Sequence, residues 1–387
     1  MSSIPEAPAA PALPPESELR GLRALAFPFQ VWLGARVMLL FVAWVSMWVD
    51  PRYYRPPSMS APYAALPIFE AWCRWDCPLY YQIANEGYSN GPQTNFFPLL
   101  PMLTYAVGFV TRLPLQWALL IVSNAATLAA YVVLYRLFRR LTDEQTARWG
   151  LLLYVAYPFS FFHASGFPES LMVLLSALAL EAALKGQHFR AGLWLAAGVL
   201  SRHVTLLAGA GLLIAQIQQR PSVGKFLKSP AWLALSLPWL SLGGYCLYQY
   251  LAWGDFLHFY KARDLWGPMA YWSLFDHLKA PNWSVDPDHK LITAYLPFTA
   301  IMVGGVLLTL RKRDWWPITG FGVALSLMLL AVGMWCVGRY SASNWPMFLG
   351  LAVVLVKRPT LATLVLCGFA VCQGLFYHLH IHQYPVI

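Results

Sequence analysis

The sequence predicts an all-α protein that crosses a membrane many times, and three observations lead to this fold class. Hydrophobic residues make up 58% of the 387 residues and charged residues only 11%, whereas soluble globular domains contain about 25% charged residues. Apolar runs long enough to cross a hydrocarbon core of about 30 Å recur along the chain. Short clusters of Arg and Lys separate these runs. The sequence therefore predicts one transmembrane domain over residues 27–387.

Residues 1–26 precede this domain and are predicted to form a disordered cytoplasmic tail. They begin with a stretch rich in Pro, Ala, Ser and Glu that has no apolar core. Such a stretch does not have the pattern of a signal peptide, and it buries too little apolar surface to fold. Arg20 and Arg23 lie just before the first span, which places the N-terminus in the cytoplasm by the positive-inside rule.

About eleven transmembrane helices are predicted, with the C-terminus extracytoplasmic. The short, proline-interrupted run at residues 97–110 is predicted as a juxtamembrane or re-entrant helix. Counting it as a span would place Arg136, Arg139 and Arg140 outside, against the positive-inside rule. The compact length of the chain favours a prokaryotic plasma membrane. The predicted spans are residues 27–49, 116–137, 149–162, 171–184, 191–204, 205–217, 232–253, 291–310, 316–337, 345–356 and 361–377.

Charge and cysteine content exclude other classes of function. The formal net charge is +10, but the basic residues lie in short clusters between the spans, so topology explains them better than a nucleic-acid partner does. The six cysteines have no zinc-binding spacing. Cys73 and Cys77, which flank Asp76, are expected to stay unpaired, because a bridge across four residues is geometrically demanding.

The most informative segment is the first extracytoplasmic loop, residues 50–115, and within it Asp76. A carboxylate among aromatic residues at a bilayer surface must be solvated, paired or used in chemistry. On a helix, Asp76, Tyr80, Ile83 and Gly87 share one side, which predicts an interfacial helix. The residues alone leave two alternatives open: Asp76 as a solvated helix cap in an aromatic belt, or Asp76 as a catalytic group.

A motif directly after the first span consists of Trp75-Asp76, Tyr80, Ile83-Ala84, Gly87-Tyr88, Phe96-Phe97-Pro98-Leu99 and Pro101. It resembles the PIG-V-type mannosyltransferases, which add the second mannose in GPI-anchor assembly and belong to the GT-C membrane glycosyltransferases. Weaker similarity continues through most of the chain after residue 27, including Arg339-Tyr340. Cys77 stands where the family usually has glycine. The short loops look more like those of prokaryotic relatives.

The resemblance implies a GT-C-type bundle and an inverting transfer of mannose from a polyprenyl-phosphate donor to a hydroxyl of a lipid-linked or glycan acceptor, among membrane lipids on the extracytoplasmic face. The lipid-phosphate donor is a co-substrate, and no cofactor is expected. An acceptor hydroxyl needs a base, for which Asp76 is the candidate. The leaving phosphate needs fixed donors or cations. The candidates for this role are Arg202, His203, Lys261 and Arg339.

The remaining predicted substrate-binding residues are Trp75, Tyr80, His163, Glu169 and Tyr340. Several candidates also have a structural interpretation. Arg202 is as well explained by pairing with Glu169, and Glu169 by complementing the positive N-terminus of a helix. His163 fits an ordinary buried histidine, and Arg36 is expected to snorkel or to pair inside the bundle rather than to contact lipid phosphate.

Two further alternatives concern metal and transport. Asp286 and Asp288 are close in sequence, but no additional ligand spacing supports a metal site, so none is expected.

A transporter or flippase of a lipid-linked sugar is the rival function. It needs polar residues along a transmembrane path, whereas here they gather on one face, which favours an enzyme. A catalytically silent scaffold is the third possibility, and retention of Trp75-Asp76 argues against it.

Overall fold

The computed structural model describes residues 22–49, 66–219, 224, 230–263, 295–332, 337–384 and 386. All regular secondary structure in these ranges is helical, so the all-α prediction is confirmed for them. Four described helices are long and apolar enough to cross a membrane, which makes the chain an integral membrane protein. The count of eleven spans and the orientation of the termini stay predictions. The four helices cover Leu25–Val49, Leu115–Leu141, Arg313–Ala331 and Pro359–Ile381.

The helices are numbered here in chain order over the described residues. Those of the N-terminal half are α1 (Leu22–Val49), α2 (Cys77–Glu86), α3 (Leu99–Thr111), α4 (Leu115–Leu141), α5 (Glu144–Ala156), α6 (Glu169–Leu184), α7 (His188–Ser201) and α8 (Ala208–Gln218). Those of the C-terminal half are α9 (Leu233–Trp253), α10 (His258–Ala262), α11 (Leu296–Leu308), α12 (Trp316–Val332), α13 (Val337–Ser343), α14 (Pro346–Leu355) and α15 (Pro359–Ile381).

Local sequence signals explain several helix ends. Asp143 caps α5, because its Oδ1 accepts from the backbone N–H of Thr146 at 2.9 Å. Helix α4 ends with Arg139 and Arg140 in its last turn, where cations complement the negative end of the helix dipole. Helix α9 ends at Gly254, whose φ of 74° is the left-handed conformation that glycine adopts without steric cost.

One predicted span, residues 149–162, is wrong at its C-terminal end. Helix α5 stops at Ala156, and a separate 3₁₀ turn covers Ser160–His163. The reason is Pro158, since a residue before proline is pushed out of the helical region. Tyr157 accordingly has φ −55° and ψ 137°. The 3₁₀ turn lies buried against the rest of the bundle.

Close helix packing depends on glycine at two interfaces. Helix α11 packs on α14, and α7 packs on α9. A Cβ added at Gly350 would lie 2.0 Å from the carbonyl oxygen of Gly305, and one at Gly192 would lie 2.4 Å from that of Ala234. Small residues let membrane helices approach this closely. These contacts fix the bundle that carries the polar cluster described next.

Candidate active site

Asp76 lies in a turn that is closed by a disulfide between Cys73 and Cys77, whose Cα atoms are 5.0 Å apart. The expectation that these two cysteines stay unpaired is therefore wrong. The chain turns back on itself between them, because Trp75 adopts a left-handed backbone with φ 56°. This turn brings the two Cα atoms into the range of about 4.4–6.8 Å that a disulfide bridges.

The Asp76 carboxylate does not cap α2, although the residue occupies the N-cap position. Its side chain accepts no hydrogen bond from the first turn of that helix. Instead its Oδ2 accepts from Nη1 of Arg339 at 2.6 Å, across 263 positions of sequence. The Asp76 side chain is 26% exposed, against 5% for Arg339. Asp76 is therefore a paired carboxylate with an open side, which is not the solvated cap of the alternative interpretation.

Glu169 joins two guanidinium groups in the same cluster. It is the first residue of α6 and is fully buried. Its Oε1 accepts from Nη1 of Arg202 and from Nε of Arg339. The pairing of Arg202 with Glu169, expected as the structural alternative for Arg202, is present. Because Glu169 lies in the first turn of α6, its carboxylate also complements the positive end of the helix dipole, as the structural alternative expects. Its role in substrate binding stays a prediction.

Tyr340 completes the cluster beside Arg202. Its hydroxyl accepts from Nη2 of Arg202, and the Arg202 guanidinium lies 4.5 Å from the centre of the Tyr340 ring. Two carboxylates thus meet two guanidiniums, so the cluster has no formal net charge. In surroundings of low dielectric, unbalanced charge would be costly. We refer to Asp76, Glu169, Arg202, Arg339 and Tyr340 as the charged cluster.

Breaks between helices place these residues at one end of the bundle. Arg202 follows the last residue of α7 with an extended backbone, φ −154°, and a 3₁₀ turn begins after it. Glu169 follows Pro168, and Arg339 lies in the short helix α13. The prediction that these segments share one face of the membrane agrees with their direct contact. The compartment that this face adjoins stays a prediction.

Aromatic side chains form the wall around the cluster. The Arg339 guanidinium lies 4.4 Å from the ring centre of Phe167 and 5.7 Å from that of Phe162, distances that allow cation–π attraction. Tyr80 on α2 is buried and packs edge-on against Phe96, with ring centres 5.2 Å apart. Burial raises the pKa of Tyr80, so its hydroxyl stays protonated and remains a donor.

The charged cluster keeps unused hydrogen-bonding capacity. Among the described residues, Nη2 of Arg339 and Oε2 of Glu169 are buried and have no hydrogen-bond partner. An unpaired buried polar atom is costly, and one at a concave site is a potential contact for a ligand. Arg339 thus has one donor that neither carboxylate occupies.

Two other predicted site residues, Trp75 and His203, lie near the cluster but outside its ion pairs. Trp75 packs at 6.5 Å between ring centres from His380. His203 lies between Phe97 and Phe259, with ring centres 5.3 Å and 5.9 Å away. His203 follows Arg202 directly in the sequence, and its role in substrate binding stays a prediction.

Lys261 is placed differently from the prediction. It lies on α10 with a side chain that is 70% exposed, and it pairs with Asp255 at 2.6 Å. The hydrogen bond from Lys261 holds the pKa of Asp255 below its usual range. Because Lys261 is held by Asp255 at the surface, the structure does not bring it into the charged cluster.

His163 and Arg36 belong to the interior of the bundle. The His163 ring is fully buried and faces the Tyr154 hydroxyl at 3.3 Å, which is the ordinary buried histidine of the alternative interpretation. Nε of Arg36 donates to Oδ1 of Asn124 at 2.6 Å, and Nη2 donates to the His163 carbonyl at 3.2 Å. The expectation that Arg36 pairs inside the bundle is confirmed.

Sequence reasoning missed the disulfide and its neighbour Gly166. The Gly166 N–H donates to the Trp72 carbonyl at 2.8 Å, and a Cβ at this position would lie 2.5 Å from Sγ of Cys77. The one available signal was the pair of cysteines around Asp76, at a position where the resembled family usually has glycine. A lone glycine within a loop gives no such signal by itself.

Metal ligation has little to support it in the described part of the chain. No group of three His, Cys, Asp or Glu residues there could hold a metal ion. Asp286 and Asp288 lie outside the described residues. The expectation that no metal or cofactor is needed stays a prediction.

Comparison with known proteins gives one family match. A family model described as dolichyl-phosphate-mannose-protein mannosyltransferase matches residues 98–242, which is less than half of the chain. No curated protein matches the chain. The match supports the broad expectation of a GT-C-type glycosyltransferase. It covers Glu169 and Arg202 but neither Asp76 nor Arg339.

Solved structures with some likeness include those of the Archaeoglobus fulgidus oligosaccharyltransferase. One, in complex with Zn and sulfate, is 13% identical with a TM-score of 0.44, and the match covers 90% of this chain and 53% of that chain. Another, of the protein AglB with an inhibitory peptide and a dolichol-phosphate, is 14% identical with a TM-score of 0.44 and covers 91% and 55%. The chain thus spans about half the length of these proteins.

Proposed function

We propose that the protein is an inverting GT-C glycosyltransferase of the PIG-V type, which moves mannose from a polyprenyl-phosphate donor to an acceptor hydroxyl. The proposed location is the extracytoplasmic face of a prokaryotic plasma membrane. The acceptor is a lipid-linked or glycan hydroxyl. One observation carries the proposal: Arg339 joins the open carboxylate of Asp76 to the buried carboxylate of Glu169, so a candidate base lies beside two cations.

Asp76 is suited to the role of the base because it is the most open charged group of the cluster. Its side chain is 26% exposed, whereas those of Glu169, Arg202 and Arg339 are 0%, 15% and 5% exposed. In the proposed step, Asp76 takes the proton of the acceptor hydroxyl as the oxygen bonds to the anomeric carbon. The bond from that carbon to the phosphate oxygen breaks on the opposite side. The configuration is therefore inverted, and polyprenyl phosphate leaves.

Arg202 and Arg339 are suited to stabilise the leaving phosphate. Glu169 holds both guanidiniums on one oxygen, which fixes them side by side before any ligand arrives. Preorganised cations of this kind act without reorganising during the reaction. The free Nη2 of Arg339 is the donor that a phosphate oxygen would take. Glu169 is thus a positioning residue for both arginines.

Aromatic residues next to the cluster suit a sugar. Sugar rings stack on aromatic faces while their hydroxyls bind polar groups. We assign such contacts to Trp75, Tyr80 and Tyr340, with His203 beside them. We assign no substrate contact to His163, because it is buried inside the bundle. Lys261 lies at the surface, where it could contact only a part of the substrate that extends outside the charged cluster. The description of the matched family, transfer of mannose from dolichyl phosphate, supports a lipid-phosphate donor.

The proposal is tested with the purified protein in nanodiscs, radiolabelled polyprenyl-phosphate mannose and a panel of lipid and glycan acceptors. We expect labelled product from the wild type and a loss of at least about 100-fold in the Asp76→Asn variant, since general base catalysis contributes about 100- to 10,000-fold. Asp255→Asn is the matched control: Asp255 is also paired at 2.6 Å and is 28% exposed, but it lies outside the cluster.

Each outcome has a defined meaning. Transfer that survives Asp76→Asn removes Asp76 as the base. Equal losses in Asp76→Asn and Asp255→Asn show that the assay responds to any lost carboxylate. In proteoliposomes, a wild-type protein that moves the labelled lipid across the bilayer but forms no product is a flippase, and the enzyme proposal then fails.

A further inference from the structure

The disulfide between Cys73 and Cys77 encloses the turn that carries Asp76. We propose that this bridge is a positioning element for catalysis: it holds Asp76 against Arg339 and thereby sets the rate of transfer. The inference rests on the proposed function, in which Asp76 is the base. It assigns a role to two residues that the charged cluster does not contain.

The turn inside the bridge has an unfavourable backbone that needs support. Trp75 lies between the cysteines with φ 56°, and bulky residues rarely adopt this left-handed conformation. Such a residue persists only where its surroundings over-determine it. Its support is the bridge itself, whose cysteines are 5% and 0% exposed, together with the contact of the Trp75 ring with His380.

The conformation of this turn decides where Asp76 points. A residue at an N-cap normally turns its side chain back onto the first turn of the helix. Asp76 has helical dihedral angles, φ −76° and ψ −17°, and makes no such contact. Its carboxylate is therefore free to reach Arg339 at 2.6 Å. The left-handed backbone of Trp75, the preceding residue, turns the chain so that the Asp76 carboxylate faces Arg339.

The bridge also docks the turn onto the loop that carries Glu169. Gly166 lies three positions before Glu169, and its N–H donates to the Trp72 carbonyl at 2.8 Å. Sγ of Cys77 packs so closely on Gly166 that a Cβ there would lie 2.5 Å from the sulfur. The two carboxylates that Arg339 joins are consequently held at a fixed separation by one covalent bond and one backbone contact.

Loss of the bridge leaves the turn to noncovalent contacts. In the described part of the chain these include the backbone hydrogen bonds from Cys73 to Glu70 at 2.9 Å and from Cys77 to Arg74 at 3.2 Å, together with the ring contact of Trp75 with His380. A misplacement of about 1 Å costs on the order of 100-fold in rate. Glu169, Arg202 and Arg339 keep their mutual pairs, so binding of the donor phosphate is retained. The expected signature is a lower kcat with little change in the donor KM.

Closing the bridge is an oxidation that suits the predicted extracytoplasmic face. The two thiols lose two protons and two electrons to a disulfide-bearing oxidant, which becomes a dithiol, and the S–S bond forms. Disulfides persist in such oxidising compartments. Cys367, an exposed free cysteine of α15, has no partner for this step and serves as the control thiol.

The test compares the Cys73→Ser/Cys77→Ser double variant with the wild type and with Cys367→Ser in the nanodisc transfer assay. For the double variant we expect a kcat about 10- to 100-fold lower, within the range for misplaced catalytic groups, and a donor KM within about threefold of wild type. Cys367→Ser should match the wild type. In an Asp76→Asn background, the double variant should cause no further loss, because the bridge acts through Asp76.

A second variant keeps both cysteines and tests the docking contact. Gly166→Ala places a methyl group against Sγ of Cys77, and we expect it to lower kcat in the same way as loss of the bridge. Size-exclusion profiles identify any variant that fails to fold. If the double variant does not fold, Gly166→Ala and reduction of the wild type with a dithiol decide the question.

The outcomes separate this inference from the proposed function. If the wild type transfers mannose and the double variant keeps its kcat, the positioning role is refuted and the enzyme stands. A further loss in the Asp76→Asn background also refutes it. If the wild type transfers nothing, the proposed function fails. Hydrogen exchange then tests whether the bridge holds the turn in place. Faster exchange confined to α2 in the double variant then supports the positioning of the turn, and unchanged exchange overturns it.

Discussion

Replacing Glu169 by glutamine tests the electrostatics of the charged cluster most sharply. The substitution keeps the shape of the side chain but removes its charge, so that Arg202 loses its carboxylate partner and Arg339 keeps only that of Asp76. Glu169 is 0% exposed, and its two cations are 15% and 5% exposed. Breaking a buried ion pair by neutralising one partner costs about 3–5 kcal/mol. We expect Glu169→Gln to lower the free energy of unfolding by an amount in this range.

Glu181→Gln is the matched control, because Glu181 also bridges two cations. It pairs with Arg136 at 2.5 Å and with Lys185 at 3.2 Å, but these cations are 33% and 24% exposed. The Glu181 side chain itself is 7% exposed, but solvent reaches both of its cations and screens these pairs more than those of Glu169. The same chemical change should therefore cost several-fold less at Glu181 than at Glu169.

The assay is reversible unfolding of both variants in one detergent, followed by tryptophan fluorescence, with donor binding measured in parallel. Glu169→Gln should also weaken donor binding, since the two arginines lose the carboxylate that holds them together. Equal destabilisation of the two variants would refute the argument that burial sets the cost. Unchanged donor binding in a folded Glu169→Gln protein would refute the role of Glu169 in positioning the arginines.

Three further predictions follow from the same contacts. Arg339→Lys should lower transfer by at least about 100-fold, because a lysine is a point charge that cannot reproduce the two-sided contacts of a guanidinium; a rate near wild type would contradict this. Lys261→Ala should change kcat by less than about threefold, because its side chain pairs with Asp255 at the surface and lies outside the charged cluster. Gly350→Ala should lower the free energy of unfolding by about 1–3 kcal/mol, because the added Cβ would meet the Gly305 carbonyl oxygen. Gly368→Ala is the control for the same unfolding experiment. Its added Cβ meets no atom within 4 Å, so its free energy of unfolding should not change.

The helices and the face of the site could be predicted because their signals are local. Hydropathy and basic clusters placed the breaks after α6 and at Arg202 close to where the structure has them. The early end of α5 also had a local signal, Pro158. The predicted span nevertheless extended past it, because the surrounding residues are apolar. Topology put Asp76 and Arg339 on one face, but a contact between residues 263 positions apart depends on packing that no local pattern encodes.

The pairs of Arg202 and Arg36 were expected, but the pairing or burial of other side chains could not be predicted in the same way. His163 was a plausible sugar ligand in a short turn between spans, and the structure buries that turn as Ser160–His163. The bridge between Cys73 and Cys77 depends on the left-handed backbone of Trp75, which propensity does not favour. Lys261 shares the predicted face, but Asp255 holds it outside the cluster.

The central claim is that Asp76 removes a proton in the transfer step while the arginines bind the donor phosphate. The measurement that tests it most directly is donor binding and single-turnover transfer by the same preparation of Asp76→Asn in nanodiscs. The account predicts donor affinity within about threefold of wild type and transfer reduced by at least about 100-fold. Transfer at the wild-type rate, or a loss of donor binding that accounts for the whole loss of transfer, would contradict it.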